Sequence, residues 1–410
     1  MVGGKWWCFG NRSSGDDVAD VDPVVLVSGI GGSILNSKPK SWFGITTRVW
    51  VRILLADLEF RKRVWSLYNP ETGYTEALDD SSDIVVPQDD YGLYAIDILD
   101  PSLLIKLLHL TDVYHFHDMI DMLVDHGYKK GTTLFGYGYD FRQSNRIEQL
   151  IDGLKEKLET AYTASGGRKA NLISHSMGGL LVSCFIALHS DVFAKYVNKW
   201  ITIATPFQGA PGCINDSLLT GLQFVEGLES YFFVSRWSMH QLLVQCPSIF
   251  EMLPNPEFKW KKQPEILIEY NKKTIPLPFN HDIYKWAATT RKLLNSVQLP
   301  QGIEFYNIYG TSLDTPFDVC YGSEMDPIND PTDICTTMPE YSYVDGDGTV
   351  PAESAMADGF EAIERAGIPG AHRALLRDEL VFKYIRKWLG IQELSISRGK
   401  TSKIVDVDSA

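Results

Sequence analysis

The stretch NLISHSMGGLLV, residues 171–182, places Ser176 between small residues at the end of an apolar run. A nucleophilic serine on a strand-to-helix turn needs a buried strand before it, small neighbours around it and an apolar helix after it. The usual motif is G-x-S-x-G, but Ser174 stands here in place of the first glycine and adds only a CH2OH group. Because Gly178 and Gly179 follow and lead into apolar residues, we predict a nucleophile at Ser176 rather than a serine that only caps a helix.

The order of residues after such a turn indicates which histidine is the general base. A hydrolase of this kind has its acid and then its histidine after the serine. His240 and His281 fall in a stretch that interrupts the regular pattern, whereas His372 directly precedes the last predicted helix. We therefore predict His372 as the base. His175 is predicted to be a packing residue, because its side chain should point away from Ser176.

The acid is expected between Ser176 and His372, in the sequence YVDGDGTVP at residues 343–351. Two aspartates compete. Asp347 precedes Gly-Thr-Val-Pro, a tight turn that would aim its carboxylate at an incoming histidine, whereas Asp345 would brace the turn through backbone N–H groups. We favour Asp347, which would orient His372 and stabilise its imidazolium. A plain Asp-Gly turn is the alternative.

An oxyanion formed at Ser176 needs two backbone N–H donors. One is expected from Met177, directly after the nucleophile, and the other from the loop after an early strand. The sequence VSGIGGS at residues 27–33 fits that loop, and Ile30 is our first choice of donor with Gly31 second. Its glycine spacing matches neither the dinucleotide fingerprint nor the P-loop, so no nucleotide cofactor is indicated.

Strands and helices alternate along most of the chain, which predicts a mostly parallel sheet flanked by helices. The predicted strands are residues 24–27, 132–137, 170–174, 199–204, 303–309 and 341–344. The predicted helices are residues 50–66, 101–126, 147–158, 177–189 and 375–389. The helix at 147–158 is expected to be capped by Asn145, with Glu148 three residues later.

The regular alternation breaks at residues 205–300, where apolar-aromatic helices are predicted at 221–234 and 239–252. We interpret this stretch as a cap inserted over the sheet. The predicted organisation is then a flexible tail at 1–20, a core at 21–204 and 301–392, the cap at 205–300 and a second flexible tail at 393–410.

Composition excludes several classes of protein. The 410 residues include 44% hydrophobic residues, enough for a full core. The net charge of −14 argues against nucleic-acid binding, and the six scattered cysteines form no C-x-x-C pair typical of zinc. The start of the chain lacks the apolar segment of a signal peptide, and no run of 18 apolar residues predicts a transmembrane helix.

Three short segments combine features that suit a membrane surface. Trp6, Trp7 and Phe9 flank Cys8, a possible acylation site, in a tail that otherwise reads as mobile. Basic residues occur at 61–63 and in FKWKK at 258–262, and either group could equally be a solvated face.

Together these motifs resemble the lecithin:cholesterol acyltransferase family of α/β-hydrolases, and in particular its plant intracellular branch described as phospholipase A1. The resemblance rests on His372 and on motifs in the family's order: PVVLVSGIGGSIL at 23–35, GYDFR at 138–142, ISHSMGG at 173–179, FYNIYGTSLDTP at 305–316 and DGDGTVP at 345–351. They cover most of residues 23–390. The resemblance implies an α/β-hydrolase fold, mostly parallel sheet flanked by helices, with an inserted helical cap.

The family's triad falls on Ser176, Asp347 and His372, and its oxyanion donors fall on Ile30 and Met177. Trp50 matches the position of a lipid-contacting tryptophan in relatives, with plain packing as the alternative. Asp140 and Arg142 of the GYDFR motif resemble a structural ion pair. Two departures stand out: Cys8 is the only cysteine before Cys184, so the lid disulfide of secreted relatives cannot form, and residues 262–276 are short beside plant relatives.

The resemblance implies a phospholipase that cleaves a fatty-acyl ester of glycerophospholipids at a membrane surface, with the sn-1 ester favoured and no cofactor or metal. One alternative is sn-2 cleavage. Another is transfer of the acyl chain to a sterol or diacylglycerol, and a third is a binding protein on the same fold. We expect a protein of the cytoplasmic side that associates peripherally with endoplasmic reticulum (microsomal) membranes and is not secreted.

Overall fold

A computed structural model describes the protein over most of its length. It describes residues 21–41, 43–50, 63–78, 81–102, 113–221, 236–268, 280–323, 325, 327–330, 333–334 and 336–391. Several expectations fall outside these residues: the two tails with Cys8, the basic residues 61–62, the helix at 221–234 beyond its first residue and most of the short segment at 262–276.

Among the described residues, six parallel strands form the central sheet. They are β1 (Val24–Val27), β7 (Leu134–Tyr137), β8 (Ala170–His175), β9 (Val197–Ile203), β11 (Glu304–Thr311) and β14 (Glu364–Pro369). Their order across the sheet is β14-β11-β9-β8-β1-β7, and every neighbouring pair is parallel. The sheet and the first five of these strands confirm the prediction. β14 was not among the predicted strands.

Both faces of this sheet are covered, which explains why its strands are short apolar runs. Successive side chains of a strand point to opposite faces. Val25 and Val27 accordingly pack on one face, with α2 (Glu148–Ala164) and α3 (Met177–Leu188). Val24 and Leu26 pack on the other face. The helices there are α1 (His117–Asp125) and α10 (Glu379–Leu389).

Two predicted helices differ from the structure, and a third lies mostly outside the described residues. Of the helix expected at 50–66, Trp50 ends β3 (Thr47–Trp50), Arg63 is helical and Ser66 begins β4 (Ser66–Tyr68). Of residues 101–126, α1 is the described helical part. The helix expected at 239–252 is two helices, α6 (Arg236–Leu243) and α7 (Pro247–Phe250), because Pro247 begins the second one.

The cap of α2 was also predicted wrongly. The residue before the helix is Ile147, and no side chain caps it. Asn145 instead gives its backbone N–H and its side-chain amide to the carboxylate of Glu251, at 2.9 and 2.8 Å. Asn145 therefore does not cap the helix, because its side chain is hydrogen-bonded to the buried carboxylate of Glu251.

The inserted region contributes helices and one edge of a second sheet. Its described elements include α5 (Pro211–Thr220), β10 (Ile266–Ile268) and α8 (His281–Asn295). β10 pairs with β12 (Leu313–Tyr321), which pairs with β13 (Glu340–Gly346). The division into core and cap at residue 300 stays a prediction. The structure adds that the β12–β13 hairpin, which follows that boundary, builds its sheet with a strand from the inserted region.

A separate small sheet lies between β1 and α1 in sequence. It consists of β2 (Leu35–Pro39), β3 and β6 (Ser82–Val85), all antiparallel to their neighbours. β2 begins three residues after Gly32, so the loop after β1 continues directly into this hairpin. In the described ranges, no single helix is long and apolar enough to span a bilayer, although α3 and the helix Ser190–Tyr196 would meet that test together despite a bend of 111° between them.

Candidate active site

Ser176 lies on a strained turn between β8 and α3. Its backbone has φ 53° and ψ −130°, a conformation that non-glycine residues rarely adopt. The two glycines that follow are required by close approach of other chain segments. A Cβ on Gly178 would lie 2.4 Å from the carbonyl oxygen of Ser28, and one on Gly179 would lie 2.1 Å from Oγ1 of Thr205. The small residues of the motif therefore reflect the geometry of a nucleophile turn.

The structure brings the three predicted triad residues together. Nε2 of His372 lies 2.9 Å from Oγ of Ser176, and Nδ1 of His372 lies 2.7 Å from Oδ2 of Asp347. Ser176 and Asp347 are buried, and His372 is nearly so. This arrangement lets the imidazole take a proton from the serine hydroxyl while the carboxylate holds its other nitrogen.

The choice between the two aspartates now has a structural reason. Oδ1 of Asp347 accepts hydrogen bonds from the backbone N–H groups of Thr349 and Val350, at 2.9 and 2.6 Å. Asp347 therefore braces the turn as well as facing His372, which combines the two roles that the sequence had divided. Asp345 is exposed and accepts from the N–H of Ser312 at 2.6 Å instead.

The glycine-rich loop after β1 lies directly beside the nucleophile. A Cβ on Gly29 would be 2.8 Å from Cβ of Ser176, so only glycine allows this approach. Ile30 follows in the same loop. Met177 is the first residue of α3, and the first N–H groups of a helix have no partner within it. The structure thus places the loop of one predicted oxyanion donor next to the helix start that supplies the other.

Trp50 is hydrogen-bonded to this loop. Its indole Nε1–H donates a 2.8 Å hydrogen bond to the carbonyl of Gly31, which has φ 65°. Its ring packs at 5.2 Å from that of Phe141, and only 2% of the residue is exposed. This position agrees with the packing alternative and adds a polar contact to the oxyanion loop.

His175 is buried behind the triad, as the packing prediction required. Its ring lies between those of His115, at 5.4 Å, and His372, at 4.8 Å. Burial, and then His372 and His115, hold the pKa of His175 well below its usual range. Burial, followed by Arg373 and His372, lowers the pKa of His115 to about 3. Both rings are therefore neutral.

Sequence reasoning missed one feature of His175. Its Nε2 lies 3.2 Å from the backbone carbonyl oxygen of His372, so it contacts the segment that holds the base. The sequence shows only that His175 is adjacent to Ser176, and this adjacency does not indicate a contact with His372, which is 197 residues away.

Asp140 and Arg142 form the ion pair that their motif suggested. Nη2 of Arg142 lies 2.7 Å from Oδ2 of Asp140, and its Nη1 donates to the carbonyl of Val64 at 2.8 Å. Burial opposes ionisation of Asp140, but Arg142 outweighs it and lowers the pKa of that carboxyl. Among the described residues, no group of three or more His, Cys, Asp or Glu side chains is arranged to hold a metal ion.

The basic segment at 258–262 has packing and ion-pair contacts within the fold. Trp260 is buried against Phe317, with ring centroids 5.7 Å apart, and Lys262 pairs with Asp318. Trp260 therefore has a structural role, whereas Lys259 and Lys261 are exposed.

The central sheet is parallel, and its nucleophilic serine lies on a strained strand-to-helix turn. An aspartate and then a histidine follow the serine in sequence, and the histidine is hydrogen-bonded to both. These features together define an α/β-hydrolase. The chain belongs to the lecithin:cholesterol acyltransferase family, whose model matches residues 60–288.

Two plant relatives and one human relative illustrate this membership. The chain is 63% identical to Phospholipase A(1) LCAT3 of Arabidopsis thaliana, with 98% of each chain covered. It is 49% identical to Lecithin-cholesterol acyltransferase-like 4 of the same species, covering 91% of this chain and 76% of the relative. Identity to the human Lysosomal phospholipase A and acyltransferase is 26%, over 82% and 80% of the two chains.

A solved structure shares the fold. A chain in the crystal structure of the Tle4-Tli4 complex matches with a TM-score of 0.53 and 14% identity, over 90% of this chain and 98% of that one. At this identity the likeness concerns the fold alone.

Proposed function

We propose that this protein is a phospholipase that hydrolyses a fatty-acyl ester of glycerophospholipids, with the sn-1 ester favoured. The observation that carries the proposal is the hydrogen-bonded chain from Ser176 through His372 to Asp347. The substrate class is supported by the 63% identical relative, which is named a phospholipase A(1).

The geometry supports an acyl-enzyme mechanism. His372 Nε2 takes the proton of Ser176 while Oγ bonds to the ester carbonyl carbon, and the N–H groups of Met177 and Ile30 receive the oxyanion. The lysophospholipid leaves with the proton from His372. Water then gives a proton to His372 and its oxygen to the acyl carbon. The bond from that carbon to Oγ breaks, Oγ takes the proton back from His372, and the fatty acid is released.

The substrate would be taken from a lipid surface. The connection between β2 and β3 exposes Phe43 by 93% and Ile45 by 84%, on the hairpin that follows the oxyanion loop. With a net charge of −14, contact with an anionic membrane would depend on such apolar side chains. We propose peripheral association with the cytoplasmic face of endoplasmic reticulum membranes, and this hairpin tip supports the membrane part of that proposal.

A second candidate function is transfer of the acyl group to a lipid alcohol. It is favoured by the family to which the chain belongs and by the 26% identical human relative, which is named both a phospholipase and an acyltransferase. The same acyl-enzyme serves both reactions, which differ only in whether water or an alcohol attacks it.

The test uses phosphatidylcholine labelled on either the sn-1 or the sn-2 chain, with and without a sterol or diacylglycerol. Free sn-1 fatty acid supports the proposal, free sn-2 fatty acid indicates the other regiospecificity, and labelled acceptor indicates transfer. Ser176→Ala should lower product release by about 10³-fold or more with folding intact. Unchanged release in that variant would exclude a role for Ser176 as nucleophile.

Membrane contact is tested by vesicle sedimentation of the variant Phe43→Ser/Ile45→Ser. Binding should fall while hydrolysis of a water-soluble ester is kept. Ile363→Ser is the matched control, because Ile363 is 66% exposed on the strand connection before β14 and should not alter binding. Equal binding by the wild type and both variants would exclude the hairpin tip as a membrane contact. Fractionation of cells on a density gradient would test the microsomal location.

A further inference from the structure

The backbone of His372 is held from both sides. Its N–H donates to the carbonyl oxygen of Asp347 at 2.9 Å, and its own carbonyl oxygen lies 3.2 Å from Nε2 of His175. We propose that His175 is a positioning residue: a hydrogen bond from its Nε2–H to the His372 carbonyl fixes the catalytic base against the nucleophile. This inference rests on the proposed hydrolysis through an acyl-enzyme at Ser176.

The chemistry of the two groups fixes the direction of this bond. A backbone carbonyl only accepts, so the proton of the neutral His175 ring must be on Nε2. The ring cannot turn easily to another partner, because it is 2% exposed and packed between His115 and His372. Phe116 adds an edge contact at 6.5 Å.

The bond matters because of where His372 lies in the chain. It follows β14, which ends at Pro369, and precedes a single 3-10 turn, Ala374–Arg377. A short connection of this kind is not fixed by a ladder of its own. His175 is the last residue of β8, and Ser176 follows it directly. One strand end therefore sets the position of both the nucleophile and the base.

The neutral state of His175 suits this role. During the reaction His372 gains a proton and becomes positively charged. A second positive charge on a ring 4.8 Å away would oppose that step. A buried imidazole supplies the N–H donor without the charge.

Substitutions of His175 by side chains that do or do not reach the carbonyl oxygen of His372 test the inference. The amide nitrogen of glutamine extends about as far as Nε2 of histidine, whereas that of asparagine stops near Nδ1. In the full-length protein, kcat for a water-soluble p-nitrophenyl ester should fall by about 10–100-fold in His175→Leu and His175→Asn, with KM within about threefold. His175→Gln should recover most of the lost kcat. The rate of labelling by a fluorophosphonate should follow the same order.

His126→Leu provides the matched control. Nδ1 of His126 contacts the backbone carbonyl of Met122 at 2.7 Å, at the end of α1, so the variant removes a comparable bond away from the triad. Its kcat should equal that of the wild type.

The outcomes separate the inference from the proposed function. Equal kcat for the Gln and Asn variants, or a folded Leu variant with wild-type kcat, would overturn the positioning role. If the Leu variant does not fold, the Gln and Asn pair still decides. An active Ser176→Ala variant would instead overturn the proposed function.

Discussion

The indole Nε1–H of Trp200 donates a 2.9 Å hydrogen bond to the hydroxyl of Ser174. Both residues are completely buried, and they lie on the neighbouring strands β8 and β9, where Ser174 is paired with Thr202 and Trp200 with Leu172. Ser174 stands where the usual nucleophile motif has glycine. A glycine there would leave the indole N–H without its acceptor. The serine that replaces the glycine of the motif therefore satisfies the buried N–H of Trp200.

This pairing predicts that restoring the usual motif destabilises the protein. Ser174→Gly and Ser174→Ala should each lower the free energy of unfolding by about 1–3 kcal/mol, because a buried donor is left unsatisfied. Turnover should be kept, since the Ser174 hydroxyl contacts Trp200 rather than the triad. Urea denaturation measures the change. In a double-mutant cycle with Trp200→Phe, additive effects would show that the bond contributes nothing.

The two aspartates of the DGDG sequence should respond differently to the same change. In Asp347→Asn, the amide oxygen must still accept from the N–H groups of Thr349 and Val350. The amide nitrogen then faces Nδ1 of His372 and favours the tautomer with its proton on Nε2, which cannot accept the serine proton. We expect kcat to fall by about 10²–10⁴-fold.

Asp345→Asn is the matched control for this prediction. Its amide oxygen can still accept from the N–H of Ser312, and the residue is exposed. Its kcat should stay within about threefold of the wild type, since surface changes of this kind have small effects. A larger loss in Asp345→Asn than in Asp347→Asn would reverse the assignment of the acid.

Trp50 gives a prediction that separates its two possible roles. Trp50→Phe keeps the ring but loses the donor to the Gly31 carbonyl. If the tryptophan positions the oxyanion loop, kcat should fall by about fivefold for a water-soluble ester and for vesicle phospholipid alike, as loss of one hydrogen bond of about 1 kcal/mol implies. A loss confined to vesicle phospholipid would support lipid contact instead.

The nucleophile turn and the order of the triad could be predicted because their requirements are local. Small residues around Ser176, and an aspartate and histidine after it, are visible in one sequence. The central sheet followed for the same reason, since buried parallel strands are short apolar runs.

Contacts between distant residues could not be predicted in this way. The sequence assigned Asn145 to a helix cap, but Glu251 lies 106 residues away in the chain and binds it in the fold. The prediction of one continuous helix at 239–252 was wrong, because Pro247 begins a second helix inside the apolar run. The bonds from Trp200 and His175 likewise join residues that no local pattern relates.

Glu251 is a buried acid that binds side chains distant from it in the sequence. Oε2 accepts from the backbone N–H and the side chain of Asn145, and Oε1 accepts from the hydroxyls of Ser144 and Thr290, the latter at 2.9 Å. Burial raises the pKa of Glu251 from its ordinary value of 4.5, and these hydrogen bonds only partly oppose the shift.

This shift gives stability a pH dependence with a definite sign. Where the folded pKa is raised, the folded state binds more protons than the unfolded state between the two pKa values. The contribution of Glu251 is therefore fully favourable below pH 4.5 and is lost as the pH rises through the folded pKa. Glu251→Gln should remove this dependence, because its amide can accept from Asn145 and donate to the two hydroxyls without ionising.

The measurement is the free energy of unfolding of both proteins from pH 4.5 upward. Relative to Glu251→Gln, the wild type should lose stability as the pH rises. Glu251→Ala is the contrasting variant and should be about 3 kcal/mol less stable than Glu251→Gln at every pH, because it leaves the donors of Asn145 unsatisfied and opens a cavity. A wild type that gains stability over Glu251→Gln with rising pH would show that the folded pKa of Glu251 is lowered, and the prediction would be wrong.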